Sequence, residues 1–210
     1  THFKEKFPHF KQLPYDLLLN ENDRLDSGSF SIEVLKTPGH TASCVSYKIN
    51  ENVFTGDVIF IPDSGTGRCD FPGGDSKEMY NSIKNKLYSL PNHFNIYVGH
   101  DYSPNGRAMK FKTTIKNQQD LNTHLNKDVD VDDFVSMRSS RDKTLRSPRL
   151  LKESIYVNIN GDSGKTVNFR DLKTQKVSCP DLNCPDIFCL TLTFRIALSE
   201  ALLSGGISKS

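Results

Sequence analysis

Three residues in this chain of 210 have types and settings that could do chemistry together: His40, Asp57 and His100. His40 lies in Pro38-Gly39-His40-Thr41, Asp57 in Thr55-Gly56-Asp57 and His100 in Gly99-His100-Asp101-Tyr102. Imidazole nitrogen and carboxylate oxygen are ligands for zinc, and two His with one carboxylate also suit non-haem iron(II). Each has an ordinary explanation when taken alone. A His in a P-G-H-T turn usually hydrogen-bonds its neighbours, and Gly-Asp usually marks a turn out of a strand. The set is harder to dismiss, because a glycine-rich stretch with Gly65, Gly67, Gly73 and Gly74 separates Asp57 from His100.

Such side chains converge only if the elements before them end in one place. Phe30, Ile32 and Val34 alternate with Ser31 and Glu33, the period of a half-buried strand. Thr37 to Thr41 interrupts it as a tight turn, and Cys44 to Ile49 resumes an extended pattern. Asn50-Glu51-Asn52 reads as a hairpin loop, and Val53 to Ile61 as the next strand. Residues 62–76 form a long loop of the kind that often carries function. Met79, Tyr80, Ile83, Leu87 and Leu90 fall near helical spacing and predict an amphipathic helix over 77–90. Asn95 to Val98 is a short strand that stops at Gly99. A polar helix is expected over about 108–126, and another from Asp130 or Asp132 to about Leu145. Ile155, Val157 and Ile159 alternate as a late strand. The order suggests a mixed α/β or α+β layered structure.

Composition narrows the function classes. Twenty-seven basic against 25 acidic residues leave a net charge of +2, which gives no reason to expect nucleic-acid or anionic-membrane binding. Ten basic and six acidic residues from Arg107 to Arg149 read as a solvated helical face. The apolar share of 36% argues against disorder throughout. No secretory signal opens the chain, and no run of about 18 apolar residues could span a bilayer. The first residue is Thr1, so any targeting segment is expected upstream. Five cysteines without a C-x-x-C make a poor disulfide framework and favour a reducing, intracellular compartment. Cys179, Cys184 and Cys189 do not have the spacing of common zinc sites. Cys69, inside the glycine-rich loop, reads as incidental.

Thr37-Pro38-Gly39-His40-Thr41, then Phe54-Thr55-Gly56-Asp57, then Gly65-Thr66-Gly67-Arg68-Cys69-Asp70-Phe71, then Gly99-His100-Asp101-Tyr102 resembles the metallo-β-lactamase superfamily in order and interval. The resemblance implies an α+β fold, the four-layer αββα sandwich, over residues 1–160, followed by a divergent tail over 161–210 that includes the apolar stretch Ile187 to Leu203. The family's usual first ligand motif, H-x-H-x-D-H, is not found, since His2 and His9 are seven apart and flanked by Phe and Pro. The resemblance therefore implies that the first strands and the first ligand cluster lie upstream of Thr1, leaving the domain incomplete at its N-terminus.

Two thiol-centred branches fit. Glyoxalase II-like loops tend to read G-x-G-[KR]-x-Y, whereas Asp70 stands here where that Tyr would be, and the G-x-G-R-x-D-F form is similar to persulfide dioxygenases. Phe134-Val135-Ser136-Met137-Arg138 and Pro148-Arg149-Leu150 also resemble dioxygenase-like members. The resemblance implies oxidation of glutathione persulfide to sulfite and glutathione, with His40 and Asp57 as catalytic ligands and Fe(II) as the metal, Zn(II) being the alternative. His100 matches a second-metal ligand of the hydrolases and is otherwise a hydrogen-bonding neighbour of the first ligands. Arg68 and Tyr102 are candidates for substrate contact; Arg68 could clasp a glutathione carboxylate, or could pair with Asp70 within its own loop. The competing readings are a hydroxyacylglutathione (thioester) hydrolase and a non-catalytic remnant that binds glutathione-like ligands or a protein partner. The implied partner is a small thiol substrate, with a homo-oligomer left open, in the cytoplasm or mitochondrion. The chain by itself is expected to be poorly active.

Overall fold

Short runs of alternating residues make the strands of this computed structural model, which describes residues 19–26 and 28–148. They are β1 (Arg24–Asp26), β2 (Ser31–Lys36), β3 (Val45–Ile49), β4 (Asn52–Gly56), β5 (Asn95–Val98) and β6 (Lys112–Thr114), and they lie side by side in chain order in a six-stranded sheet. Every pairing is antiparallel except β4 with β5. A parallel pair needs a crossover, and the long connection between β4 and β5 supplies it with α1 (Ser76–Asn81), continued by wider π-helical turns over Ser82–Leu87. After β6 come α2 (Ile115–Leu121) and α3 (Val131–Asp142).

The register decides what each face buries, because residues paired across strands point the same way. Val53 and Ile96 are partners, as are Phe54 and Tyr97 on the opposite face. Val53 and Ile96 join Met79, Ile83, Leu87, Ile115 and Phe134 in the main core, so the helices cover that face. Phe54 and Ile49 head a second cluster with Phe30, Ile32, Tyr47 and Tyr97, where the Phe54 and Tyr97 rings stack at 5.0 Å. The described residues thus form two of the four expected layers, one sheet and one helical layer. Helices α1 and α3 start where short acidic side chains can cap them. Asp75 Oδ1 accepts from the amides of Lys77 and Glu78 at 2.7 and 2.9 Å, and Asp130 accepts from the amide of Asp133 at 2.9 Å.

Three boundaries differ from the sequence reading. β4 ends at Gly56, not at Ile61, with a register shift between Phe54 and Gly56. Val58, Ile59, Phe60 and Ile61 are still buried, but as a loop packed into the core and not as sheet. The polar helix expected over 108–126 is instead β6 followed by the short α2, because Thr113 pairs with Ile96 at the sheet edge and Thr114 caps α2. β1 went unrecognised, its three residues being too few to show a period. The late strand expected near Ile155 and the tail beyond residue 160 lie outside the described residues. No helix among the described residues is long and apolar enough to cross a membrane.

Candidate metal centre

His40 is placed by a turn pressed onto α1. Gly39 has a φ of +144°, and a Cβ there would sit 2.4 Å from the Met79 Cα, so only glycine lets the turn approach the helix this closely. The contact is bonded from both sides. Asp75 N donates to the Gly39 carbonyl at 2.9 Å, and Ser82 Oγ donates to the Pro38 carbonyl at 2.6 Å. The His40 ring is buried, with Nδ1 2.7 Å from the carbonyl oxygen of Arg68. A carbonyl oxygen only accepts, so Nδ1 donates and Nε2 is left to face Asp57, 3.9 Å from its Oδ2. The edge of the Phe71 ring packs on the imidazole at 5.0 Å between centroids.

Asp57 and His100 leave two adjacent strands at the same end of the sheet. Gly99 N donates to the Gly56 carbonyl at 3.0 Å, which brings the two exits together. His100 Nε2 then lies 3.4 Å from Asp57 Oδ1, and both side chains are buried. Neither carboxylate oxygen of Asp57 has a hydrogen-bond partner among the described residues. A buried carboxylate without donors is expensive and calls for a positive charge. Two imidazole nitrogens and this carboxylate are the donor types of an iron(II) or zinc site, so the residues fit such a metal. Among the described residues, however, no group of three or more His, Cys, Asp or Glu is drawn together tightly enough to hold a metal ion by itself. His40, Asp57 and His100 thus bring together donor atoms of the types a metal takes, with Asp57 facing both histidines.

Arg68 is engaged inside its own loop. Its Nε and Nη2 donate to the two carboxylate oxygens of Asp70, each at 2.5 Å, and its guanidinium lies 5.0 Å from the centre of the Phe71 ring. The Arg68 hydrogen bonds hold the Asp70 carboxyl below its ordinary value. Tyr102 is 39% exposed, not buried, with its ring against Phe60 at 5.3 Å and near His100 at 6.0 Å. Asp101, between His100 and Tyr102, anchors the loop: it accepts from Arg107, from Lys110 N at 2.6 Å and from Ser103 N at 3.2 Å. Burial pushes the Cys69 thiol up to about 12, which leaves it an inert thiol at neutral pH.

A polar layer beneath the glycine-rich loop was missed from sequence. Gln118, Asn122, His124, Arg138 and Asp142 all bond to the loop's backbone. Arg138, read as part of a solvated face, is among the most buried side chains described. The signal was present in the helix period, since Phe134, Arg138 and Asp142 recur every four residues and share one face of α3.

A family model described as "Metallo-beta-lactamase superfamily" matches residues 3–100. "Glyoxylase B2" of Dictyostelium discoideum is 47% identical over 146 residues, covering 69% of this chain and 50% of that protein. "Persulfide dioxygenase ETHE1, mitochondrial" of Mus musculus is 37% identical over 112 residues, covering 52% of this chain and 41% of that protein. The crystal structure of ETHE1 from Myxococcus xanthus superposes with a TM-score of 0.62 at 28% identity, covering 69% of this chain and 60% of that one. The chain spans about half the length of the curated relatives it matches.

Proposed function

The chain belongs to the metallo-β-lactamase superfamily, on the side of it that includes the persulfide dioxygenases, and from that premise we propose that it takes part in oxidising glutathione persulfide to sulfite and glutathione at an iron(II) centre. The observation that supports this reading best is the buried Asp57 carboxylate, unbonded on both oxygens among the described residues and faced by an imidazole Nε2 on either side.

His40 and Asp57 would hold the metal, with His100 beside them. Iron(II) supplies the one-electron chemistry that dioxygen requires. The protein's own groups do the rest. The Arg68 carbonyl fixes the His40 ring through Nδ1, so Nε2 faces inward without reorientation. Tyr102, whose ring packs on Phe60 and lies near His100, would offer an apolar wall for the organic part of a small thiol. Arg68 is the group that could accept a glutathione carboxylate, by exchanging it for Asp70. The reaction balances as persulfide, dioxygen and water going to thiol, sulfite and two protons: the terminal sulfur is oxidised, dioxygen is reduced and the glutathione thiol leaves. A reducing setting, cytoplasmic or mitochondrial, accords with that chemistry and with Cys44 and Cys69, both free.

A second reading has its own support. Each oxygen of Asp57 faces a different histidine, and these residues would also suit a site of two metals in a hydroxyacylglutathione hydrolase, where the metals would supply an activated water. The 47% identity to a protein named Glyoxylase B2 points the same way. Oxygen-electrode traces with glutathione persulfide, on the iron-loaded chain, test the first reading. Uptake that disappears in His40→Ala and Asp57→Ala supports it. Hydrolysis of S-lactoylglutathione without oxygen uptake supports the second. Failure of both reactions with the metal site filled leaves a binding role.

A further inference from the structure

The loop between Asp57 and α1 is gripped from beneath by buried polar side chains of α2, α3 and their connection. Gln118 Nε2 donates to the Phe60 carbonyl at 2.5 Å and Asn122 Nδ2 to the Gly65 carbonyl at 3.2 Å. His124 Nδ1 accepts from Thr66 N at 2.9 Å. Burial, with Arg138 nearby, pushes the His124 pKa down to about 4, so it is neutral and able to accept. Arg138 Nη1 donates to the Thr66 carbonyl at 3.2 Å, and Asp142 Oδ2 accepts from Cys69 N at 2.8 Å.

Arg138 and Asp142 stand out in this layer. Arg138 Nε and Nη2 both reach Asp142 Oδ1, at 3.0 and 2.5 Å, and the residues are only 1% and 6% exposed. A buried ion pair is a poor source of stability, since well-packed apolar residues of similar volume often serve as well or better. What apolar residues could not do is bond the loop backbone at Thr66 and Cys69. Arg68 lies between those two anchors, and its carbonyl is the acceptor for His40 Nδ1.

We propose that Arg138 and Asp142 are positioning residues for His40: by anchoring Thr66 and Cys69 they fix the Arg68 carbonyl, and that carbonyl fixes the ring and tautomer of His40. The meaning of this for metal binding rests on the reading of His40 as a ligand, but the hydrogen-bond relay can be measured without metal. The line of contacts runs from α3 through backbone to the imidazole, and a change in the pair should be felt at a ring that it does not touch.

The test uses the whole chain labelled with 15N-histidine. Long-range 1H–15N spectra of the metal-free wild type should show His40 with its proton on Nδ1. The double variant Arg138→Met/Asp142→Leu removes both charges together, so that no buried charge is left unpaired. It is expected to melt cooperatively, yet show His40 as a mixture of tautomers and bind cobalt(II) about 10- to 100-fold more weakly. Asp142→Asn, which keeps the shape, is the second variant and should shift the His40 resonances in the same direction. Arg138→Lys, retaining a charge for Asp142, should recover part of the wild-type signal. A folded double variant, or a folded Asp142→Asn, with unchanged His40 resonances overturns the proposal. If the wild type binds no cobalt(II) while the variants still disturb His40, the relay stands and the metal reading of His40 falls.

Discussion

Replacing Asp57 by Asn removes one charge at nearly constant volume from a site that is 3% exposed. Among the described residues neither carboxylate oxygen has a hydrogen-bond donor, and imidazole nitrogens lie 3.4 and 3.9 Å away. An unsatisfied buried polar group costs about 1–3 kcal/mol, and a charged one more. The Asn amide keeps the first cost and sheds the excess that comes from charge. Metal-free Asp57→Asn should therefore be more stable than the wild type by about 1–3 kcal/mol, with roughly 2–4 °C in melting temperature for each kcal/mol. Metal reverses the order. At a free concentration of about 100 times its dissociation constant, a ligand bound only by the native state adds about 2.7 kcal/mol, and the Asn variant should gain little of it. Thermal melts by circular dichroism, in chelator and then in excess zinc(II), read both halves. The reasoning is refuted if chelated Asp57→Asn melts clearly below the wild type, or if zinc raises both proteins equally.

Gly99→Ala should weaken metal binding without removing a ligand, because a Cβ there would meet Asp57 Oδ1 at 2.6 Å and the Gly56 carbonyl at 3.0 Å; zinc titration should show a loss of about tenfold or more, and unchanged affinity would mean that the exits of β4 and β5 need not be so close. His124 is neutral in the fold, with a pKa near 4 against 6.5 in the unfolded chain. Between those values the unfolded state binds the extra proton. Its contribution is thus complete above pH 6.5 and is lost as the pH falls toward 4, on the order of 3 kcal/mol in all. Urea melts at pH 7.5 and 4.5 should show this loss in the wild type and a smaller one in His124→Gln; equal losses would contradict it. Cys69, with its thiol pushed up to about 12, should resist iodoacetamide in the native protein at pH 7.5 and react only on unfolding, as mass spectrometry of the labelled peptide will show; rapid native labelling would refute its burial.

The ligand loops were legible because turn chemistry is local. Pro38-Gly39 before His40 and Gly99 before His100 announce strand exits, and the structure has the two histidines 3.9 and 3.4 Å from the Asp57 carboxylate. The long loop and the start of α3 at Asp130 were legible for the same reason. The end of β4 was not. Val58 to Ile61 is a continuous apolar run, and periodicity cannot tell a buried strand from a buried loop when both faces are covered. β6 was hidden in a polar stretch, since it forms by pairing with β5, a contact between segments far apart in sequence. Arg138 and Asp142 were hidden by their charge: composition assigns charged residues to the surface, and only the partner backbone at Thr66 and Cys69 makes their burial affordable. Arg68 shows the reverse case, where the plain alternative of a pair with Asp70 is the one the geometry displays.

The central claim is that His40 and Asp57 hold a metal, with His100 beside them supporting the site. Anaerobic equilibrium dialysis against iron(II) tests it most directly, because it reads weak as well as tight binding, and weak binding is expected where no described group of three closes on a metal by itself. Saturable iron binding by the wild type, weakened about tenfold or more in each of His40→Ala, Asp57→Ala and His100→Ala, is the predicted result. Iron held equally well by all of these variants, or no saturable binding by the wild type, would contradict it.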